Sequence, residues 1–388
     1  TLDQIDEPEI ELDDDPGEVE TPPRIVEPFD PSLVAVETRN LTIDQICKRL
    51  RNGEIELNPE FQRNEVWTER ARARLIESIL IRIPLPALYF DAGDEDRWVV
   101  VDGLQRLTTL KRFVVDEPGF PLGELEFLKA TCDGKRFSEL PRPLQRRIEE
   151  TQLIVYLIKK GTPARMKFNL FDRLNTYTVP LTRQEMRAAL FCGAGTRLLK
   201  SLAKDDVFQR AVDHGVPSRR LQDQEVVLRF FAFWMDPAGP QPQESFDDYL
   251  NRTLEVLNKA GAAEHQRLAA AFHDGMTRAR EVFEAEAFRK PTRARRSPIN
   301  RALFESWSVE LARLRTCDAD EIARRANEVR DRFRAIFEER EAYRQSNSVG
   351  TADLAKIRLR FEVVREVLKS VLSQQVDEES PSCSSHSV

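Results

Sequence analysis

Histidine and cysteine are scarce in this chain. There are four histidines and five cysteines in 388 residues. Cys47, Cys132, Cys192, Cys317 and Cys383 show no Cys-x-x-Cys spacing, and His214, His265, His273 and His386 show no metal-ligand spacing. That argues against a disulfide scaffold or a zinc module and predicts reduced thiols, most of them packed. No apolar run approaches the roughly 20 residues needed to span a bilayer. A basic-plus-apolar signal segment is also missing from the N terminus. Both absences predict a cytoplasmic protein without a membrane partner. Positive charge is not in excess either: the net charge is −7, which argues against a general polyanion binder.

What is present is unevenly distributed. Residues 3 to 30 are dense in Asp and Glu, including Asp13-Asp14-Asp15, and Arg24 is their only base. Pro16, Pro22, Pro23, Pro28 and Pro31 break any helix there. The segment 1–38 reads as a disordered acidic tail. It is either a solubilising extension or an internal mimic of DNA that occupies a basic groove. A polar tail is expected at 377–388. Between the tails, a hydrophobic content of 41% is enough for two buried cores.

The first expected domain, 39–195, mixes helices and strands. Thr42 can cap a helix over Ile43 to Leu50, with Gly53 as its stop, and Thr68 can cap a second helix carrying Leu75, Ile76, Ile79 and Leu80. Ala87 to Phe90 and Trp98 to Val101 read as strands joined by a charged turn, and Leu153 to Ile158 as a buried strand. Pro163 suits the first turn of a helix through Leu174. Thr182 and Glu185 form a capping box for a helix through Phe191. The second expected domain, 196–376, is all helical. Val226, Val227, Phe230, Phe231 and Trp234 mark a strongly apolar helix. Ile322 to Ile336 and Ile357 to Val371 read as two long amphipathic helices in a bundle, which could also support oligomers.

The most informative stretch is Trp98 to Leu107. An apolar strand ends in Asp102-Gly103, and Leu104, Leu107, Leu110 and Val114 then recur at helical spacing. Gly103 relieves the corner. The helix start offers unpaired N–H groups with Arg106 in its first turn, which outlines a phosphate site. The same spacing suits an ordinary strand-to-helix turn with a solvated arginine.

Asp102-Gly103-Leu104-Gln105-Arg106 resembles the Asp-Gly-Gln-Gln-Arg signature of the domain at the N terminus of GmrSD-type modification-dependent restriction enzymes, a ParB/sulfiredoxin-like domain. Three further segments match in order: Leu57 to Arg63 with Val66-Trp67; Leu75 to Leu80 with Ile83-Pro84-Leu85-Pro86; and Phe171 to Asn175 with Pro180-Leu181-Thr182 and Glu185-Met186-Arg187. Leu104 departs from the pattern, which usually has Gln. The resemblance implies an α+β fold: a small mixed-sheet ParB/sulfiredoxin-like domain followed by an all-helical one.

It also implies one nucleotide pocket built by these motifs. Arg63 would contact a phosphate and Gln62 a base edge or modified nucleotide. Gln105 and Arg106 would bind phosphate oxygens beside Gly103. Asp102 would bind Mg²⁺ through water or hold a ribose, unless it caps the following helix. Asp172, Arg173 and Asn175 would form a third cluster near metal and phosphates, with Asp102 and Asp172 as the catalytic carboxylates. The implied cofactors are a nucleoside triphosphate and Mg²⁺.

A second candidate surface is basic. Arg289, Lys290, Arg293, Arg295, Arg296 and Arg301 lie close together with no acid between them, and Pro291 and Pro298 make the stretch a loop. It suits contact with a DNA backbone, or serves as a flexible partner for the acidic tail. GmrSD-type proteins often carry a His-Asn-His nuclease domain, but no paired His or metal-binding His/Asn set follows residue 195. The sequence therefore predicts an NTP-binding and NTP-hydrolysing regulatory or DNA-sensing protein of a restriction or phage-defence system. A separate nuclease or defence subunit would do the cutting. The alternative is a non-enzymatic DNA-binding or assembly module that retains the fold.

Overall fold

The computed structural model describes residues 35–57, 67–94, 96–163, 166–167, 182–291 and 296–373. Their contacts divide the chain into two compact units, with the division between Leu190 and Phe191. Both tails lie outside the described residues, except for the last few positions of the expected acidic one. So does most of the helix expected after Pro163.

The first unit is built on a five-stranded mixed sheet in the order β1-β5-β3-β4-β2. Its strands are β1 (Val36–Thr42), β2 (Ile55–Glu56), β3 (Leu88–Ala92), β4 (Trp98–Asp102) and β5 (Gln152–Lys159). β1 runs antiparallel to β5 and β3 antiparallel to β4, while the β5/β3 and β4/β2 pairs are parallel. The helices are α1 (Ile43–Arg51), α2 (Glu69–Leu80), α3 (Leu104–Leu110), α4 (Lys129–Cys132), α5 (Arg142–Glu150) and α6 (Arg183–Leu190). The small mixed sheet followed by helices is the α+β class the sequence predicts.

Local chemistry explains most of these elements. Thr42 and Gln45 form a capping box at the start of α1, and the left-handed Gly53 follows its end. Thr68 caps α2 through the Ala71 N–H. At α6, Glu185 accepts from the Thr182 N–H at 2.7 Å and its own N–H donates to Thr182 Oγ1 at 3.2 Å. One sheet face is fully covered: Leu88, Phe90, Trp98, Val100, Val155 and Leu157 pack with α1 and α2 in the main core. Burial there pushes the Cys47 thiol up to about 12. β1 is a correction, because the acidic tail was expected to reach residue 38. Strand residues start at Val36 because they pair with β5, from Val36 opposite Ile158 to Thr42 opposite Gln152.

One buried carboxylate organises a loop. Glu77 of α2 is buried and accepts from the N–H groups of Glu126, Phe127 and Leu128 at 3.1, 2.7 and 2.8 Å. Glu77→Ala removes a charged acceptor from three donors, although Glu126 and Phe127 are exposed and water can reach them. The expected cost is about 1–2 kcal/mol, less than three full charged bonds would imply. Denaturant titration with retained sheet signal checks it, and an unshifted midpoint contradicts it.

Among the described residues, the regular structure of the second unit is helical. Its helices are α7 (Ala194–Ala203), α8 (Asp206–Ala211), α9 (Gln222–Met235), α10 (Phe246–Lys259), α11 (Ala262–Phe283), α12 (Arg301–Ala312), α13 (Thr316–Arg324), α14 (Ala326–Glu339), α15 (Glu341–Ser346) and α16 (Leu354–Ser373). α12 is buried from Ala302 to Ala312 and is wrapped by α9, α11 and α16. Inside it, Glu305 Oε1 accepts from Arg229 of α9 at 2.7 Å and Oε2 accepts from Arg360 of α16 at 3.0 Å. The helix expected over Ile322 to Ile336 is two helices. Arg325 leaves helical dihedrals between α13 and α14, and its guanidinium binds Glu328 and the Val371 carbonyl. A tertiary bond thus overrides an unbroken apolar period. Among the described residues no helix is long and apolar enough to cross a membrane.

Candidate functional site

The strand-to-helix corner forms where the sequence predicts it. β4 ends at Asp102, Gly103 takes a φ of +98° as the cap of α3, and α3 runs seven residues before widening into a π-helical turn over Lys111–Val115. A Cβ at Gly103 would run into Leu88 Cδ2, so the corner requires glycine for space as well as conformation.

Asp102 is not the cap of α3, a position that Gly103 takes. Instead Arg106 Nη2 donates to Asp102 Oδ2 at 2.7 Å. Arg106 Nη1 donates to the Ala87 carbonyl at 3.2 Å and to the Pro86 carbonyl. The Arg106 side chain is 11% exposed and that of Asp102 23%. Burial pulls the Arg106 guanidinium below the ordinary arginine value, and Asp102 opposes the shift. The solvated arginine of the ordinary-turn reading is therefore not what forms. Arg106 joins two of the quoted segments, the Pro84-Leu85-Pro86 turn and the Asp102 corner.

Gln105 adds a weaker tie. Its Oε1 accepts from the Trp67 N–H at 3.4 Å, and its carbonyl accepts from Thr109 Oγ1 at 2.8 Å. Gln62 and Arg63 lie outside the described residues, but Trp67 follows them closely. Asp172, Arg173 and Asn175 also lie outside them. The helix after that cluster, α6, packs on β4 and places Met186 against Val101, the neighbour of Asp102. Both segments thus re-enter the described structure beside the same corner.

Two residues that sequence reasoning missed stand next to it. Tyr89 is opposite Asp102 in the β3/β4 register and beside Tyr156 in the β3/β5 register. The two rings stack with centroids 4.8 Å apart and planes 20° apart. Burial raises the Tyr89 hydroxyl above the usual tyrosine value, Tyr156 and Asp102 add to this, and Arg106 opposes it. Tyr89 also packs on Val101, Ile158 and Met186. The available signal was the strand alternation, which puts both tyrosines on the face away from the main core.

Among the described residues no three His, Cys, Asp or Glu side chains come together as a metal-ligand group. Asp102 is one carboxylate, already paired with a guanidinium, and Asp172 lies outside the described residues.

Within the basic stretch, Arg289 is a correction, because its side chain is buried rather than presented to DNA. Arg289 is 7% exposed, and its guanidinium donates to the Ala285, Ser297 and Val212 carbonyls. It is a brace inside the second unit, and burial lowers its pKa. Arg296 donates to Asp213 Oδ2 at 2.5 Å, and Lys290 to Ser348 Oγ at 2.9 Å. Arg301 opens α12 and is half-buried, with its Nε enclosed. The loop read as free of acids in sequence finds Asp213 and Glu286 in space. Arg293 and Arg295 lie outside the described residues.

Residues 43–192 match the family model described as "GmrSD restriction endonuclease, N-terminal domain". No curated protein and no solved structure matches the chain.

Proposed function

With residues 43–192 belonging to the GmrSD N-terminal domain family, we propose that the chain is an NTP-binding and NTP-hydrolysing component of a DNA modification-dependent restriction or phage-defence system. A separate subunit would cut the DNA. The observation that carries this reading is the Asp102–Arg106 pair at the β4–α3 corner. A polyphosphate offers Arg106 a stronger acceptor than one carboxylate. As Arg106 turns to phosphate, Asp102 is released to orient a water for attack or to hold the ribose. Mg²⁺ would arrive with the triphosphate.

The test is binding and turnover of all four NTPs with Mg²⁺. Arg106→Ala is expected to weaken binding about 10- to 100-fold, the loss of one or two charged hydrogen bonds. Because Arg106 is also woven into the corner, the variant is expected to melt earlier, so binding is measured well below its melting temperature. Asp102→Asn is expected to bind and to lose turnover. Unchanged affinity in Arg106→Ala, or no NTP binding by the wild type, overturns the reading.

Leu104 favours one narrower alternative, in which nucleotide is held but not turned over, because the side chain lacks the polar contact of the usual Gln. The same assay separates the two: binding without turnover selects the alternative. A gel shift with modified and plain DNA tests the DNA-sensing part.

A further inference from the structure

We infer that the sheet face carrying Tyr89 and Tyr156, beside Asp102 and Arg106, is the base-binding wall of this nucleotide site. The inference rests on the nucleotide reading above and adds what recognises the base.

The register brings the parts together. Tyr89 lies opposite Asp102, whose carboxylate holds Arg106. Tyr156 lies beside Tyr89, and the near-parallel stack fixes both rings before any ligand arrives while leaving each with one face that the other does not cover. Leu88 pairs with Val155, so Ala87, whose carbonyl binds Arg106, is level with Ile154. The phosphate-side arginine and the aromatic wall therefore share one end of the sheet.

The face is also open where a base would need it. Both tyrosines are half-buried, and beyond Tyr156 the same face carries Ile154, which is 47% exposed, with Thr38 and Asn40 exposed opposite Tyr156 and Ile154. The opposite face, by contrast, is closed by α1 and α2. A role in packing alone accounts for Tyr89, which leans on Met186 and Val101. It does not account for an aromatic ring at Tyr156 bordered by an exposed isoleucine. Stacking on such a surface tolerates any base and favours the larger purines.

The experiment compares NTPs with inorganic tripolyphosphate, which has the charge and lacks the base. The full-length wild type, Tyr156→Leu and Tyr156→Phe are titrated with each. The wild type is expected to bind ATP or GTP more tightly than tripolyphosphate. Tyr156→Leu is expected to lose about tenfold or more in NTP affinity with tripolyphosphate affinity unchanged, and Tyr156→Phe to behave like the wild type. Equal NTP affinity in Tyr156→Leu overturns the inference. So does a parallel loss of both ligands, or a wild type that binds both equally. A wild type that binds neither ligand refutes the nucleotide reading and this inference with it, whereas base-independent binding of both refutes the inference alone.

Discussion

Glu305→Ala is expected to lower the unfolding free energy of the second unit by about 3–5 kcal/mol, the cost of breaking a buried ion pair from one side. Glu305 is 1% exposed and stands between Arg229 and Arg360, the latter 0% exposed. Arg229 is also held by Glu225 at 2.8 Å, and Arg360 by the Ser346 and Thr351 carbonyls. Removing the central carboxylate leaves two guanidinium groups close together in a region that water does not reach. Repulsion then adds to lost attraction. The network ties α9, α12 and α16, so the whole helical unit should feel it. Denaturant melts followed by helical circular dichroism measure the change. A loss under 1 kcal/mol would mean that the arginines find other acceptors. Replacing all three residues with apolar ones of similar volume should cost far less, since no charge is then stranded.

Gly103→Val should destabilise the first unit by about 2–5 kcal/mol and remove any ligand response at the β4–α3 corner. A φ of +98° is a region that a β-branched residue avoids, at a cost of about 1–3 kcal/mol. The new side chain would also meet Leu88 Cδ2 in the main core, adding about 1–3 kcal/mol of overpacking. Gly103→Ala should fall between the two, because its Cβ meets the same atom without a branch. Thermal melts of the three proteins give the order directly. A valine variant as stable as the wild type would show that the corner can rebuild itself without left-handed geometry.

What the sequence made legible was local. The capping boxes at Thr42 and Thr182 use residues three apart, and the Asp102-Gly103 corner lies between a strand pattern and a helix pattern. What it hid was set by distant partners. β1 carries Glu37 and Arg39 with no apolar stripe, so nothing in its own residues marks it as a strand. Arg289 looked like part of a solvated basic loop because the Val212 carbonyl that it reaches is far away in sequence. Glu77 reads as an exposed helix position until the loop at 126–128 is folded over it. The Asp102–Arg106 pair was readable from its spacing of four, yet the motif drew attention to ligands and away from the internal bond.

The strand order has a consequence for synthesis. The β3–β4 hairpin and α3 are contiguous in sequence, so the Asp102–Arg106 corner can form from a short length of chain. β1 cannot take its place so early. Its partner begins at Gln152, so the first strand made is the last to be sealed into the sheet. Until then β1 and one side of β3 stand with unpaired backbone, a state that favours wrong partners when nascent chains are crowded. The charges of Glu37 and Arg39, which pair with each other in the finished sheet, would also keep that waiting edge from joining a neighbour's.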